Sequence, residues 1–547
     1  MLRLALLAFV GLLVLVPLVQ LQSRAMRSGA YSRVWNDEGF AEVLRNTIAL
    51  AAGSVVIALV LGTGLAWSAF NLPRRLRVLS VLPMVSIMLP PLAQVTGWVF
   101  LLSPRVGYLN TAMRKLWWWS DLDSGPVDVN TLQWIVIVTA IMLVPFVYIF
   151  VLTSLRSMDS SIFEAASIAG AGRIRSFFQV ILPALRPALV HSGVISLLLG
   201  LGQFTAPLLL GRQQRIEVVT TSMFRAASSA PSDYPLAAAY GSPLIVLGVL
   251  IIVLQRRLTR DKDRYQTLSA RGHRPSTSSH WSAALPIIGY ALFAIVLPIL
   301  ALLVVGLSPF WTGTIDPSVF SLDSWRSTFD DPSIRAALGT TVRAVVASTL
   351  IAVVLSLAVA TTLVSSRRKG RFTRGLLDLL VSLPLTIPGL VFGVGILLAY
   401  TQGLVVLYGT TMIFVVAYVT VVLPFVTRML QSGLIGAGTS MTEASRVAGA
   451  GPIRTQIAVV LPVIRGSVAA SAAIAVALLT QEFAASVMIR SRTNTSFGPV
   501  LYDVYTQGFA SQAAVLALLM CAISVAIVTF VLAFGGRSAL ESSAGGI

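Results

Sequence analysis

Long apolar runs separated by short polar gaps make up most of this chain. Leu4 to Val19, Asn46 to Phe70, Leu79 to Leu102, Thr131 to Thr153, Ala188 to Leu210 and Ala239 to Leu254 fill the first half. Trp281 to Leu307, Val342 to Val364, Leu376 to Tyr400, Val406 to Leu430, Ser467 to Ile489 and Phe509 to Phe534 fill the second. Most are long enough to cross a bilayer as a helix. The pattern predicts an all-α polytopic membrane protein with about 12 transmembrane helices in two homologous six-helix halves. Residues 1-255 form the first half, and 281-547 the second. Between them 256-280, rich in Arg, Ser and Thr, reads as a cytoplasmic linker. The first run is expected to be an uncleaved span, because no small-residue cleavage site follows it in VQLQSRAM.

Two of the runs carry breakers. The third contains Pro83, Pro90 and Pro91; the ninth contains Pro384, Pro388, Gly389, Gly393 and Gly395. Proline removes a helical N–H, and the freed backbone groups need a protein-lined or wet surrounding at membrane depth. Pro90 and Pro388 are therefore candidates for a translocation path, with simple kinks as the alternative.

Composition changes the picture little: 56% hydrophobic residues, 11% charged, and a mean hydropathy of +0.85 exclude a soluble domain. A formal net charge of +19 invites a nucleic-acid partner. Position argues against one, since the basic residues sit in alternate gaps. Arg74, Arg75 and Arg77 occupy one, Arg256 to Arg274 another, and Arg367, Arg368, Lys369, Arg371 and Arg374 a third; 312-340 between them is acidic. That alternation is the positive-inside pattern and places the basic gaps in the cytoplasm, with no role in binding nucleic acid.

One polar gap occurs twice. Glu164 to Pro183 reads EAASIAGAGRIRSFFQVILP and Glu443 to Pro462 reads EASRVAGAGPIRTQIAVVLP, identical at 11 of 20 positions without a gap. The offset of 279 residues also carries Pro145-Phe146-Val147 onto Pro424-Phe425-Val426, and Gln203-Phe204 onto Glu482-Phe483. In each copy a small-residue helix runs into Gly-Ala-Gly, which supplies a tight turn, and then a second helix closes on Leu-Pro. On these residues the chain resembles the inner-membrane permease subunits of bacterial ABC importers, in their type I fold. Their signature is Glu-Ala-Ala, a Gly about six residues on, and a closing Ile/Leu-Pro; Ser445 replaces the second Ala in the second copy.

The resemblance implies that residues 161-183 and 440-462 are coupling loops, each docking on one of two copies of a separate nucleotide-binding ATPase subunit. Glu164, Ala165 and Gly170 would meet one protomer, and Glu443, Ala444 and Gly449 the other. Arg175 and Arg454 either pair with acidic groups there or serve the positive-inside pattern. A soluble or lipid-anchored substrate-binding protein is the implied outer partner. ATP-Mg is expected on the ATPase subunits, since this chain contains no G-x-x-x-x-G-K-[ST]. The duplicated layout and YPLAAAYG at 234-241 resemble the fused iron(III) permeases; polyamine, phosphonate and thiamine permeases stay open.

Catalytic chemistry is not expected. Cys521 is the single cysteine, and His191, His273 and His280 are scattered without metal-ligand spacing. Within the spans, Gln203 and Glu482 stand at matching positions, either lining the path or holding helices together. Apart from Glu482 the span interiors are expected to hold almost no ionisable side chain. A gradient-driven secondary transporter, the rival from another class, would need such residues and has no use for two Glu-Ala loops.

Overall fold

The computed structural model describes residues 2–158, 166, 168–170, 172–258, 280–364, 371–402, 405–438 and 440–534. Among them every regular element is helical. Nine helices are long and apolar enough to cross a membrane, and three further pairs bent at a short break bring the number to 12 if each pair is one span. Several helices extend past the apolar run that predicted them. Phe40–Phe70 and Pro332–Val364 begin well before Asn46 and Val342, because polar residues continue a helix into water as easily as they end one.

Both proline-bearing runs are broken as expected. Helical residues Arg74–Met88 and Pro91–Leu102 meet at 95°, and Phe372–Thr386 and Gly389–Tyr400 at 109°. Pro90 and Pro388 stand at the two corners in extended conformation, each just before the first residue of the second arm. The fifth and eleventh runs are also interrupted, which the apolar pattern did not anticipate. Arg186–Leu201 is followed by Thr205–Leu210, and Arg465–Thr480 by Ala484–Ile489.

Three π-helical turns, Phe177–Ile181, Leu292–Val296 and Gln456–Val460, each run straight into a Leu-Pro pair. A proline inside a helix lacks the N–H owed to the carbonyl four residues back and crowds it; a widened turn relieves both. The carbonyl of Ala294, four residues before Pro298, takes its hydrogen bond instead from the buried Gln94 side-chain amide at 3.1 Å.

The compact units do not follow the sequence halves. One unit comprises 1–38, 222–242 and 322–547; the other comprises 39–221 and 243–321. Each half thus lends its first span to the unit built mainly from the other half. In the first unit Leu2–Arg27 packs along the broken ninth run. A Cβ on Gly395 would stand 2.8 Å from the Pro17 carbonyl oxygen. The second unit repeats this contact with Trp281–Leu307 against the broken third run, where a Cβ on Gly97 would stand 2.7 Å from Pro298 Cβ. Only glycine allows backbones this close. Trp98 packs tilted against Phe293 with centroids 4.5 Å apart, and Tyr290 donates to the Ile141 carbonyl at 3.0 Å.

Candidate functional site

The repeated polar segment forms a helical hairpin in its second copy, and the described part of the first copy has the same glycine turn and return helix. Glu164 and Ala165 lie outside the described residues, so the first copy is described from Ala166 onward and with gaps. Gly170 and Gly449 adopt φ of +72° and +79°, the left-handed conformation that ends a helix most cheaply at glycine. Nothing lies within 4 Å of the Cβ position at either glycine, so conformation and not space requires the residue.

The second copy shows the hairpin in full. Ser440–Val447 carries Glu443 and Ala444 on exposed positions. Ala450 N–H reaches back to the Ser445 carbonyl at 3.0 Å, the wrapped closure expected around a left-handed glycine. The Ser445 hydroxyl meets that of Thr455 at 3.0 Å and ties the two arms together, which gives the departure from Glu-Ala-Ala at position 445 a structural role. In the return arm Thr455 N–H donates to Gly451 O at 2.9 Å, and in the first copy Ser176 N–H donates to Gly172 O at 2.8 Å. Arg454 is exposed; Arg175 is exposed too and donates to Gln179 at 2.9 Å along its own helix.

The hairpins also present apolar side chains to solvent at matching places. Ile168 is 87% exposed and its counterpart Val447 90%; Phe178 is 60% exposed and its counterpart Ile457 63%. A scattered surface Val means little, but the same exposed apolar pair recurs at matching positions of the repeated segment. Sequence reasoning passed over these residues. Their signal was legible, since they are among the apolar positions kept at the 279-residue offset within a polar segment.

Away from the hairpins, Gln203 and Glu482 both sit in the breaks of the fifth and eleventh runs. The Glu482 carboxylate accepts from Ala485 N–H at 2.8 Å, Ser486 N–H at 3.0 Å and the Ser486 hydroxyl at 2.6 Å, and that hydroxyl lies 3.0 Å from the Tyr418 hydroxyl. It caps the short helix that follows, offering the backbone a local partner in place of a continued spiral. Gln203 does less of the same: its side-chain oxygen accepts from Phe204 N–H at 3.1 Å, while Thr220 donates to its backbone carbonyl at 2.7 Å. Glu482 also approaches the corner after Pro388, its Oε1 lying 3.6 Å from the Cβ position of Gly389. Around Pro90 the second arm packs against Thr205–Leu210, the helix after Gln203.

Apart from Glu482, a charged pair joins two of the runs near their polar ends. Arg428 pairs with Asp378 at 2.7 Å and donates to Ser382 at 2.7 Å, joining the long helix that leads to the second hairpin to the first arm of the broken ninth run. The pair is half-exposed, as the polar end of a span allows. In the first half the corresponding tie is uncharged: Tyr148 donates to the Ser80 carbonyl at 2.6 Å. Among the described residues no group of three or more His, Cys, Asp or Glu is placed to hold a metal ion.

A duplicated helical membrane protein that repeats one exposed polar segment in each half has the architecture of a transport permease. The chain belongs to the family described as binding-protein-dependent transport system inner membrane component, which matches it twice, at residues 54–264 and 352–535. It is 24% identical over 441 residues to the putative ferric transport system permease protein FbpB 1 of Haemophilus influenzae, covering 79% of this chain and 68% of that protein. It is 24% identical over 440 residues to the ferric transport system permease protein FbpB of Actinobacillus pleuropneumoniae, covering 77% of this chain and 61% of that one. The chain therefore spans only about two thirds of the length of these relatives. The spermidine/putrescine transport system permease protein PotB of Escherichia coli is 27% identical over 222 residues, 40% of this chain and 78% of PotB.

Proposed function

We propose that this chain is a transmembrane permease subunit of an ATP-driven importer for iron(III), forming the translocation path, receiving cargo from a soluble or lipid-anchored binding protein and coupling to two copies of a separate ATPase subunit. The paired hairpins carry the reading. Two copies of one surface, each with a left-handed glycine, an exposed apolar crest and a nearby arginine, suit two copies of one partner. ATP-Mg belongs on that partner, and this chain performs no hydrolysis. Iron(III) enters as cargo and is supported by the relatives that align across both halves; a polyamine is the second reading, supported by PotB.

Coupling then follows from chain connectivity. Arg428 and Tyr148 tie the helices that enter the hairpins to the first arms of the broken runs, so a displaced hairpin pulls on the segments whose corners are Pro90 and Pro388. Replacing Ile168 and Val447 together by Asp puts a charge into each docking crest. The variant is expected to insert normally and to lose co-purifying ATPase and ATP-dependent uptake of labelled iron(III). Unchanged recruitment and uptake would refute the docking role. Uptake of labelled spermidine in place of iron would leave that role intact and replace the cargo.

A further inference from the structure

The connection from Leu102 to Leu132 is nearly three times as long as its counterpart between Tyr400 and Thr411, and it is built rather than slack. Buried Asn110 is its hub. Its side-chain amide donates to the carbonyls of Leu102, Ser103 and Val127 at 2.9, 3.1 and 2.7 Å, and its oxygen accepts from Val127 N–H at 3.3 Å. Arg114 donates to the Arg105 carbonyl at 2.9 Å, and Gln214 to Asp128 at 2.6 Å. On this frame stand Trp117, Trp118 and Trp119, stacked edge to face with centroids 5.3 and 5.7 Å apart. Trp117 is 81% exposed and Trp118 54%, beside exposed Leu116 and Leu122. Among the described residues neither of these two indoles donates to a protein acceptor.

We propose that this loop lies in the headgroup layer of the bilayer, with Trp117 and Trp118 anchoring the first half at the membrane face opposite its hairpin. The place follows from the chain: the loop joins the apolar ends of two membrane segments, and Leu132–Ser157 carries its far end to the hairpin. An indole with an apolar body and an unused N–H is suited to the boundary between acyl chains and water. Arg114 and Lys115 are offset by Asp121 and Asp123, so the seat does not depend on lipid charge.

The test uses the full chain in phosphatidylcholine–phosphatidylglycerol vesicles and compares it with Trp117→Phe/Trp118→Phe, which keeps the apolar bulk. Because the protein has 10 tryptophans, the difference emission isolates these two. That emission is expected to be quenched by phosphatidylcholine brominated near the headgroup at least about twofold more than by lipid brominated near the chain ends, and to be shielded from aqueous iodide. Quenching by iodide without quenching by either lipid would overturn the proposal. So would shielding that appears only when a soluble binding protein is added, which would make the loop a protein-docking surface instead.

Discussion

The two halves agree where they form hairpins and differ where they turn at the opposite ends of the same helices. Gly170 and Gly449 share a conformation, and Ile168 and Val447 share an exposure. Residues 103–131 and 401–410, by contrast, differ nearly threefold in length, and only the first carries tryptophan or charged residues. A duplicated gene drifts wherever each copy meets different surroundings and stays matched wherever both copies meet the same thing. On the proposed reading the hairpins meet identical subunits, while the opposite ends meet lipid and an asymmetric binding protein.

The exchanged first spans give the sharpest way to break this comparison. Gly97→Ala and Gly395→Ala each place a methyl against a proline backbone with no room to accept it, so each should cost about 1–3 kcal/mol. Thermal unfolding in detergent should fall for both, and by similar amounts if the two contacts are equivalent. Only one falling would show that the halves had diverged here too.

The tie between helix and broken run is a smaller effect and an unequal one. Asp378→Asn removes a half-exposed ion pair and should cost on the order of 1 kcal/mol, with Arg428→Gln in the same background adding little. A double-mutant cycle checks that coupling. In the first half, Tyr148→Phe removes one neutral hydrogen bond and should slow transport without any change in its salt dependence, because no charge is involved.

The smallest expected effect lies outside the membrane. Arg33 donates to Asp233 at 2.5 Å, and that guanidinium holds the Asp233 carboxyl below the usual carboxylate range. A carboxylate whose folded pKa is depressed stabilises the fold above its unfolded value and loses that contribution as pH falls through the folded one. Wild type should therefore unfold at a slightly higher temperature than Asp233→Asn at neutral pH. The difference should shrink progressively below about pH 4.

Much of this was legible in the sequence because membrane helices must be apolar throughout and because the chain repeats itself. The corners at Pro90 and Pro388 and the turns at Gly170 and Gly449 rest on residue types with few conformational choices. Other features rest on partners far apart in the chain. Nothing local to Pro17 or Gly395 says that they touch, and the apolar pattern of a first span is the same whichever half it packs against. The break at Glu482 was missed because hydropathy averages over a short interruption, while the carboxylate that ends the helix acts within a single turn. Asp378 and Arg428 lie far apart along the chain and become a pair only once two runs lie side by side.

The central claim is that each hairpin holds one ATPase protomer. Native mass spectrometry of the complex purified in mild detergent measures this directly, for wild type, Val447→Asp, and Ile168→Asp with Val447→Asp. The account predicts two ATPase protomers per chain in the first, a weakened complex losing one protomer in the second, and a bare chain in the third. Two protomers retained in all three would contradict it.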